Sequence, residues 1–286
     1  MFVQTPLDSD LRTAVSRLID VALAEDIGSG DITSLAVIPR DIRFSGVMAA
    51  REPMVVAGLP FVAEIFRQVV PEATFTARAA DGDRLAAGAI VAELVGPAQG
   101  LLTAERTALN LLQHLSGIAT LTRRYVDAIA GTGVALFDTR KTIPGLRLLA
   151  KYASRMGGAR NHRMGLYDGI LIKDNHIAVC GSLAEAVRRA KLANGKHVEV
   201  ECDTLEQVDE AVSAGADVIL LDNMSPDLLR QAVARIGGRA KTEASGGVTL
   251  ETIRNIAECG VDYVSVGRLT QSAAAVDIGL DWSASR

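Results

Sequence analysis

The chain has 286 residues, 49% of them apolar and 22% charged, with a formal net charge of −4. That is ordinary globular usage, and it excludes a disordered or collagen-like chain. A negative balance with only 4% aromatic residues speaks against a nucleic-acid coat or a base-stacking platform, and charges or glycines break every apolar run short of the ~18 residues a membrane helix needs.

The start, Met1 to Pro6, has no basic segment followed by an apolar one. Cys180, Cys202 and Cys259 are odd in number and widely spaced, which gives neither a disulfide framework nor a zinc signature. The expectation is a cytoplasmic protein. Residues 10–25 read as an amphipathic helix, with Leu11, Val15, Leu18, Ile19 and Ala22 on one stripe, ended by Gly28 and Gly30. From 42 to 95 short β-like runs (Phe44–Ala50, Met54–Ala57, Thr74–Ala79, Ala89–Val95) alternate with Gly and Pro signals, as in a small sheet-rich domain. A long helical pattern follows from Thr103 to Ile129, with Gly117 at its middle as a place to bend or break.

The second half alternates strand and helix. Strand runs are expected at 134–137, 169–172, 197–200, 218–221, 240–244 and 262–266, and helices at 182–193, 204–214, 225–236 and 249–258. Ser182-x-x-Glu185 and Thr204-x-x-Gln207 are capping boxes, and Ser225-Pro226 is an N-cap before a first-turn proline. Continuous apolar strands at about 22-residue spacing imply a parallel sheet buried on both faces. A doubly wound open sheet competes with a barrel. Polar residues stand at the C-terminal end of every strand, and only a barrel mouth gathers all six ends at one ligand. The fold expected is therefore α/β, an incomplete six-stranded βα barrel of TIM-like type.

Between Asp138 and Lys173 eight cations face two acids, a basic island in an acidic chain. A solvated helix face accounts for Arg147, Lys151 and Arg155, spaced at i, i+4 and i+8. Arg140, Lys141 and Lys173, at strand ends, suggest a pocket for a small, highly charged anion. Ser245-Gly246-Gly247 and Gly267, each following a strand, can present backbone N–H groups to a phosphate, or can be plain turns. Glu201 and Asp222, ending neighbouring strands, can hold ribose hydroxyls or a Mg²⁺ bridging phosphates, or can pair with the basic island. Glu199 shares the strand parity of Glu201, one pleat deeper. Arg140 and Arg163 can each grip a carboxylate with two prongs, with His162 beside them. Such a set suits transfer of a phosphorylated sugar onto an acidic acceptor.

Several segments resemble the quinolinate phosphoribosyltransferase family: Leu102 to Asn110, His114 to Thr120, Asp138-Thr139-Arg140-Lys141-Thr142-x-Pro144-Gly145, Asn161-His162-Arg163-x-Gly165-Leu166, Ile172 to His176, Leu221-Asp222-Asn223 and Ser245-Gly246-Gly247. They run in order along nearly the whole chain. The resemblance implies transfer of phosphoribosyl from phosphoribosyl pyrophosphate to quinolinate with loss of CO₂, giving nicotinate mononucleotide for NAD biosynthesis, with Mg²⁺. It implies an N-terminal α/β sandwich domain (1–115, joined by 272–286), a barrel domain (116–271), and a homodimer or multiple of dimers whose active site is shared between subunits.

By the same resemblance Arg140, His162 and Arg163 hold quinolinate, joined by Arg106 of the other subunit. Lys141 and Lys173 lie near the phosphates and the reacting centre, Arg51 reaches the pyrophosphate from the other subunit, and Glu201 and Asp222 hold the ribose and Mg²⁺. Ser245, Gly246, Gly247 and Gly267 cup the 5-phosphate. Three positions depart from the pattern: Gln271 stands where His is expected, Ala159 replaces a Gly, and Arg160 adds a cation. Gln271 can still donate a hydrogen bond to pyrophosphate, but it carries no charge. Two other readings of the same residues are a phosphoribosyltransferase acting on a monocarboxylate such as nicotinate, and an aldolase-like barrel using Lys141 or Lys173 as a Schiff base.

Overall fold

The computed structural model describes residues 9–194 and 197–283, so the Met1–Pro6 reading lies outside the described residues. In chain order the elements are α1 (Ser9–Ile27), α2 (Ile32–Val37), β1 (Arg43–Ala50), β2 (Met54–Val55), α3 (Leu59–Val69), β3 (Thr74–Ala77), β4 (Arg84–Leu85), β5 (Ile90–Pro97) and α4 (Ala98–Ala128). Then come β6 (Ala135–Phe137), α5 (Arg147–Gly157), β7 (Ile170–Ile172), α6 (Asp174–Cys180), α7 (Leu183–Asn194), β8 (Val198–Cys202) and α8 (Leu205–Ala214). The last are β9 (Val218–Asp222), α9 (Pro226–Ile236), β10 (Lys241–Ser245), α10 (Ile253–Ala257), β11 (Tyr263–Ser265), α11 (Arg268–Gln271) and β12 (Ile278–Ser283). The chain divides into two units, one of residues 1–121, 144–157 and 273–286, the other of 122–143 and 158–272.

The first unit holds an antiparallel sheet of order β12-β1-β5-β3. Along β1 the side chains of Phe44 and Met48 are buried on one face, as period-2 alternation requires. Helices α1, α3 and α4 share the core with it: Ile19, Phe61, Ile65, Leu101, Leu112 and Ile118 are all fully buried. α3 falls between the β-like runs at 54–57 and 74–79, in a gap to which the sequence pattern assigns no element. Its cap is Gly58, in a left-handed conformation, followed by Pro60 in the first turn.

α4 runs unbroken through Gly117. That glycine is there for contact and not for a bend: a Cβ on it would lie 2.0 Å from the carbonyl oxygen of Ala274, where the returning C-terminal segment crosses the helix. Val276 N–H donates to Gln113 O (3.2 Å) at the same crossing.

α5 corrects the expected solvated face. Leu149, Ala150, Tyr152 and Ala153 pack into the first unit's core and Lys151 is fully buried; of the charged row, Arg155 alone is well exposed. A helix enclosed on most of its circumference leaves no room for an i, i+4, i+8 solvent stripe.

The second unit is the parallel sheet, of order β6-β11-β10-β9-β8-β7. The first strand pairs with the last, so the sheet curls round as a TIM-like barrel, and β6 and β7 are left as the two sides of its open seam. Arg160 pairs with Phe137 along that seam. The helix starts follow the sequence signals closely. The Thr204–Gln207 box is reciprocal, and Ser225 accepts from Leu228 N–H. Ser182 accepts from Glu185 N–H, but the Glu185 carboxylate turns to Arg188 and Arg189 instead of closing its box. α10 is shorter than expected and begins only at Ile253.

Candidate active site

Strand pleating decides which side chains enter the barrel. Alternate residues point inward, so each strand contributes a deep position and a rim position. The pairs are Leu171 and Lys173, Glu199 and Glu201, Leu220 and Asp222, Glu243 and Ser245, and Ser265 and Gly267. With Arg140, Lys141, His162, Arg163, Gly246, Gly247, Arg268 and Gln271, members of these pairs line one cavity of about 640 Å³. That is the size of a small-molecule site.

At the rim, Lys173 Nζ is ion-paired to Glu201 Oε2. Burial pushes the Asp222 carboxyl above the usual aspartate value, and the charges of Lys173 and Lys141 pull it back. Asp222 therefore sits within the field of both lysines. Lys141 is held by its backbone: its N–H donates to Thr139 Oγ1 (3.0 Å) and its carbonyl accepts from Thr270 Oγ1 (2.8 Å). Its side chain lies flat over Gly267, where a Cβ would come within 2.8 Å of Lys141 Cδ. The glycine thus brings Lys141 across the end of the neighbouring strand.

At the seam, the buried Asp138 carboxylate accepts from Asn161 Nδ2 (2.6 Å) and from His162 N–H (2.9 Å). This fixes the Asn161-His162-Arg163 segment against β6. The Arg163 guanidinium donates to Gly169 O (3.2 Å). Burial and the neighbouring charge of Arg140 push Arg163 below the ordinary guanidinium value, while Glu199 and Asp168 oppose this. Two guanidinium groups close enough to disfavour one another make a site that gains from a bound anion.

His162, expected to hold substrate, has both ring nitrogens directed at protein groups. Nδ1 accepts from Arg163 N–H (2.8 Å), and Nε2 lies 3.1 Å from Glu199 Oε2 and 3.7 Å from Glu243 Oε1. Phe137 meets the imidazole edge to face. His162 lines the cavity beside the Arg163 backbone and above two buried acids. Burial and the charge of Glu199 raise the Glu243 carboxyl well above the glutamate range, against the pull of His162 and the Ser265 hydroxyl.

Glu243 was legible only as part of a polar strand end; its parity with Ser245 was the signal that it faces inward. Asp138, Asn223 and Arg268 were likewise given no role by sequence. Arg51 and Arg106 belong to the first unit and are not among the residues lining this cavity. Arg51 is ion-paired to Asp281 there.

Glu201 and Asp222 suit Mg²⁺ by donor type. Both are hard carboxylates, Glu201 already shares one oxygen with Lys173, and Mg²⁺ typically takes one or two carboxylates together with substrate phosphates and water. A different trio has its ligand atoms gathered within 4.8 Å: His162, Glu199 and Glu243, already engaged with one another at the barrel floor.

Comparison with known proteins identifies the family. The N-terminal domain of quinolinate phosphoribosyl transferase matches residues 31–116, and the C-terminal domain matches residues 118–281. The chain is 46% identical to a probable nicotinate-nucleotide pyrophosphorylase [carboxylating] of Bacillus subtilis, over 93% of both proteins. It is 46% identical to the nicotinate-nucleotide pyrophosphorylase [carboxylating] of Mycobacterium leprae, over 91% of this chain and 94% of that one. Among solved structures, the nicotinate-nucleotide pyrophosphorylase from Francisella tularensis superposes with a TM-score of 0.92 at 42% identity, covering 95% of this chain and 96% of the other. The chain belongs to the quinolinate phosphoribosyl transferase family.

Proposed function

We propose that the chain transfers the phosphoribosyl group of phosphoribosyl pyrophosphate to quinolinate with loss of CO₂, forming nicotinate mononucleotide and pyrophosphate for NAD biosynthesis. The observation that carries this reading is the composition of the cavity. Arg140 and Arg163 stand at the seam, the Lys173–Glu201 pair and Asp222 at the rim, and the Ser245-Gly246-Gly247 turn with Gly267 beyond them, all lining one space. A pyridine diacid is taken by the guanidinium groups, with His162 holding the Arg163 backbone. The 5-phosphate is taken by backbone amides of the 245–247 turn and of Gly267.

The chemistry follows from where the charges lie. As the bond from ribose C1 to pyrophosphate breaks, positive charge builds on the ribose ring, and the carboxylates of Glu201 and Asp222 offset it. Lys141, Lys173 and Gln271 receive the departing pyrophosphate. Charges fixed before the reaction lower its barrier because they need not reorganise during it. The pyridine nitrogen bonds to C1. Its ring, now a cation, accepts the electron pair of the carbon–carboxylate bond as CO₂ leaves, and the ring carbon then takes a proton. No covalent bond to the protein forms. Mg²⁺, held by Glu201 and Asp222 directly or through water, would neutralise charge on the pyrophosphate.

Arg51 and Arg106 are assigned to the cavity of a second copy, in a homodimer or a multiple of dimers, and sedimentation with active-site complementation between R106A and R140A chains tests this. The proposed setting is cytoplasmic; no helix among the described residues is long and apolar enough to cross a membrane. The activity itself is tested with purified protein, phosphoribosyl pyrophosphate, Mg²⁺ and carboxyl-labelled quinolinate. The expected outcome is nicotinate mononucleotide with release of labelled CO₂. Product formed from nicotinate, with quinolinate inert, would replace this reading by the monocarboxylate one.

A further inference from the structure

Among the described residues one non-glycine has a positive φ: Asn223, at 53°. The left-handed region is costly for a residue with a Cβ, and asparagine is among the few that tolerate it. What holds Asn223 there is visible in its contacts. Its backbone N–H donates to Ser245 O (2.9 Å), the last residue of the adjacent strand. Its side-chain Nδ2 donates to Asp222 Oδ2 (2.6 Å). The rest of its amide lies against Gly246: a Cβ on that glycine would come within 2.2 Å of Asn223 Oδ1 and 2.8 Å of its backbone nitrogen. Gly246 is itself left-handed, at φ 89°.

Two consecutive strand ends are therefore locked through one side chain. Register already sets Asp222 opposite Ser245. Asn223 fixes what register leaves free, the rotation of the Asp222 carboxylate and the course of the turn after Ser245. One carboxylate oxygen is bound to the amide, so the face that Asp222 shows to the cavity is determined.

We propose that Asn223 is a positioning residue for the phosphoribosyl half of the site, tying the Asp222 carboxylate to the Ser245-Gly246-Gly247 turn so that ribose and 5-phosphate are received as one unit. This rests on the placement of phosphoribosyl pyrophosphate given under Proposed function. Asn223 lines the cavity beside Asp222 and the turn, and the role proposed for it runs through those two.

Three substitutions separate its backbone from its amide. Asn223→Gly keeps the left-handed backbone and removes the amide. Asn223→Asp keeps the shape and sets a second carboxylate against Asp222. Asn223→Ala loses both features. The measurements are the Kd of phosphoribosyl pyrophosphate by calorimetry, with and without Mg²⁺, and KM and kcat for each substrate, with Asp222→Asn in parallel. Asn223→Gly is expected to weaken phosphoribosyl pyrophosphate roughly tenfold, the scale of one hydrogen bond to a charged group. Its quinolinate KM should stay within about twofold, on the same scale. Asn223→Asp should be worse than Asn223→Gly.

A merely structural role would lower kcat and raise both KM values together, or lower Tm alone. Should Asn223→Ala fail to fold, Asn223→Gly still decides. Unchanged phosphoribosyl pyrophosphate affinity and kcat in Asn223→Gly overturns the proposal. If Asp222→Asn is defective in that case, the substrate placement stands and only the role of Asn223 falls. If Asp222→Asn is silent too, both fall together.

Discussion

His162 Nε2 lies 3.1 Å from Glu199 Oε2, while Nδ1 on the other side of the ring accepts the Arg163 N–H at 2.8 Å. An imidazole that accepts at Nδ1 carries its proton on Nε2, so the ring is a link between a buried acid and the backbone of Arg163, whose guanidinium is proposed to take the diacid. ¹⁵N-histidine NMR should find the Nε2–H tautomer. His162→Ala should raise the quinolinate KM on the order of tenfold through displacement of Arg163, a hydrogen-bond-sized effect. A Nδ1–H tautomer in the free protein would refute the arrangement.

Glu243 provides a stability test with a defined sign. Burial and the charge of Glu199 raise its carboxyl from the usual 4.5 to about 7. The folded chain therefore keeps a proton that the unfolded chain has already released. That stabilisation is complete below pH 4.5 and is lost as pH rises through about 7. Glu243→Gln, neutral throughout, escapes the loss. Its Tm relative to wild type should climb between these two values and level off above them. Parallel Tm curves for the two proteins would show that Glu243 ionises freely.

The barrel was legible because its signals are local. Continuous apolar strands, the Thr204–Gln207 box and the Ser225-Pro226 start each speak for themselves within a few residues. So were the rim groups Lys173, Glu201 and Asp222, because every strand end is polar. What escaped depends on non-local packing. The Arg147, Lys151, Arg155 row looks solvated, yet Lys151 is fully buried while Leu149, Ala150, Tyr152 and Ala153 join the first unit's core. α3 is rich in Phe, Val and Ile, and among short strands it was not picked out as a helix. Glu243 shares the inward parity of Ser245, but only the folded barrel shows it beneath His162. Gly117 looks like a helix breaker until Ala274 is seen lying on it.

Arg140 stands among the groups at the seam, close enough to Arg163 for the two charges to oppose each other. A carboxylate between them relieves that repulsion and gains charge-assisted bonds of about 1.5–3 kcal/mol each. Arg140→Ala should raise the quinolinate KM by roughly 10- to 100-fold, the equivalent of those bonds. The Kd of phosphoribosyl pyrophosphate should stay close to wild type, since its proposed contacts are Lys141, Lys173, Glu201, Asp222, the 245–247 turn, Gly267 and Gln271, and Arg140 is not among them. Equal loss of both substrates would remove Arg140 from the diacid subsite.

Gly117→Ala sets two effects against each other. On an exposed helix the change would stabilise by about 1 kcal/mol, because alanine is the better helix former. Here the new methyl would stand 2.0 Å from Ala274 O and 3.1 Å from Ala275 Cα. Both are backbone atoms, so no side chain can rotate out of the way. The 274–276 segment must lift off α4, which strains Val276 N–H to Gln113 O and the Gln113 side-chain bond to Ile278 O (2.9 Å), at the entry to β12. Overpacking of this kind costs about 1–3 kcal/mol, more where backbone must move, and it outweighs the helical gain. Urea unfolding should show a net loss of about 1–3 kcal/mol on the same scale, with exchange protection falling first in β12. A gain in stability would mean that the C-terminal segment does not rest on α4 at Gly117.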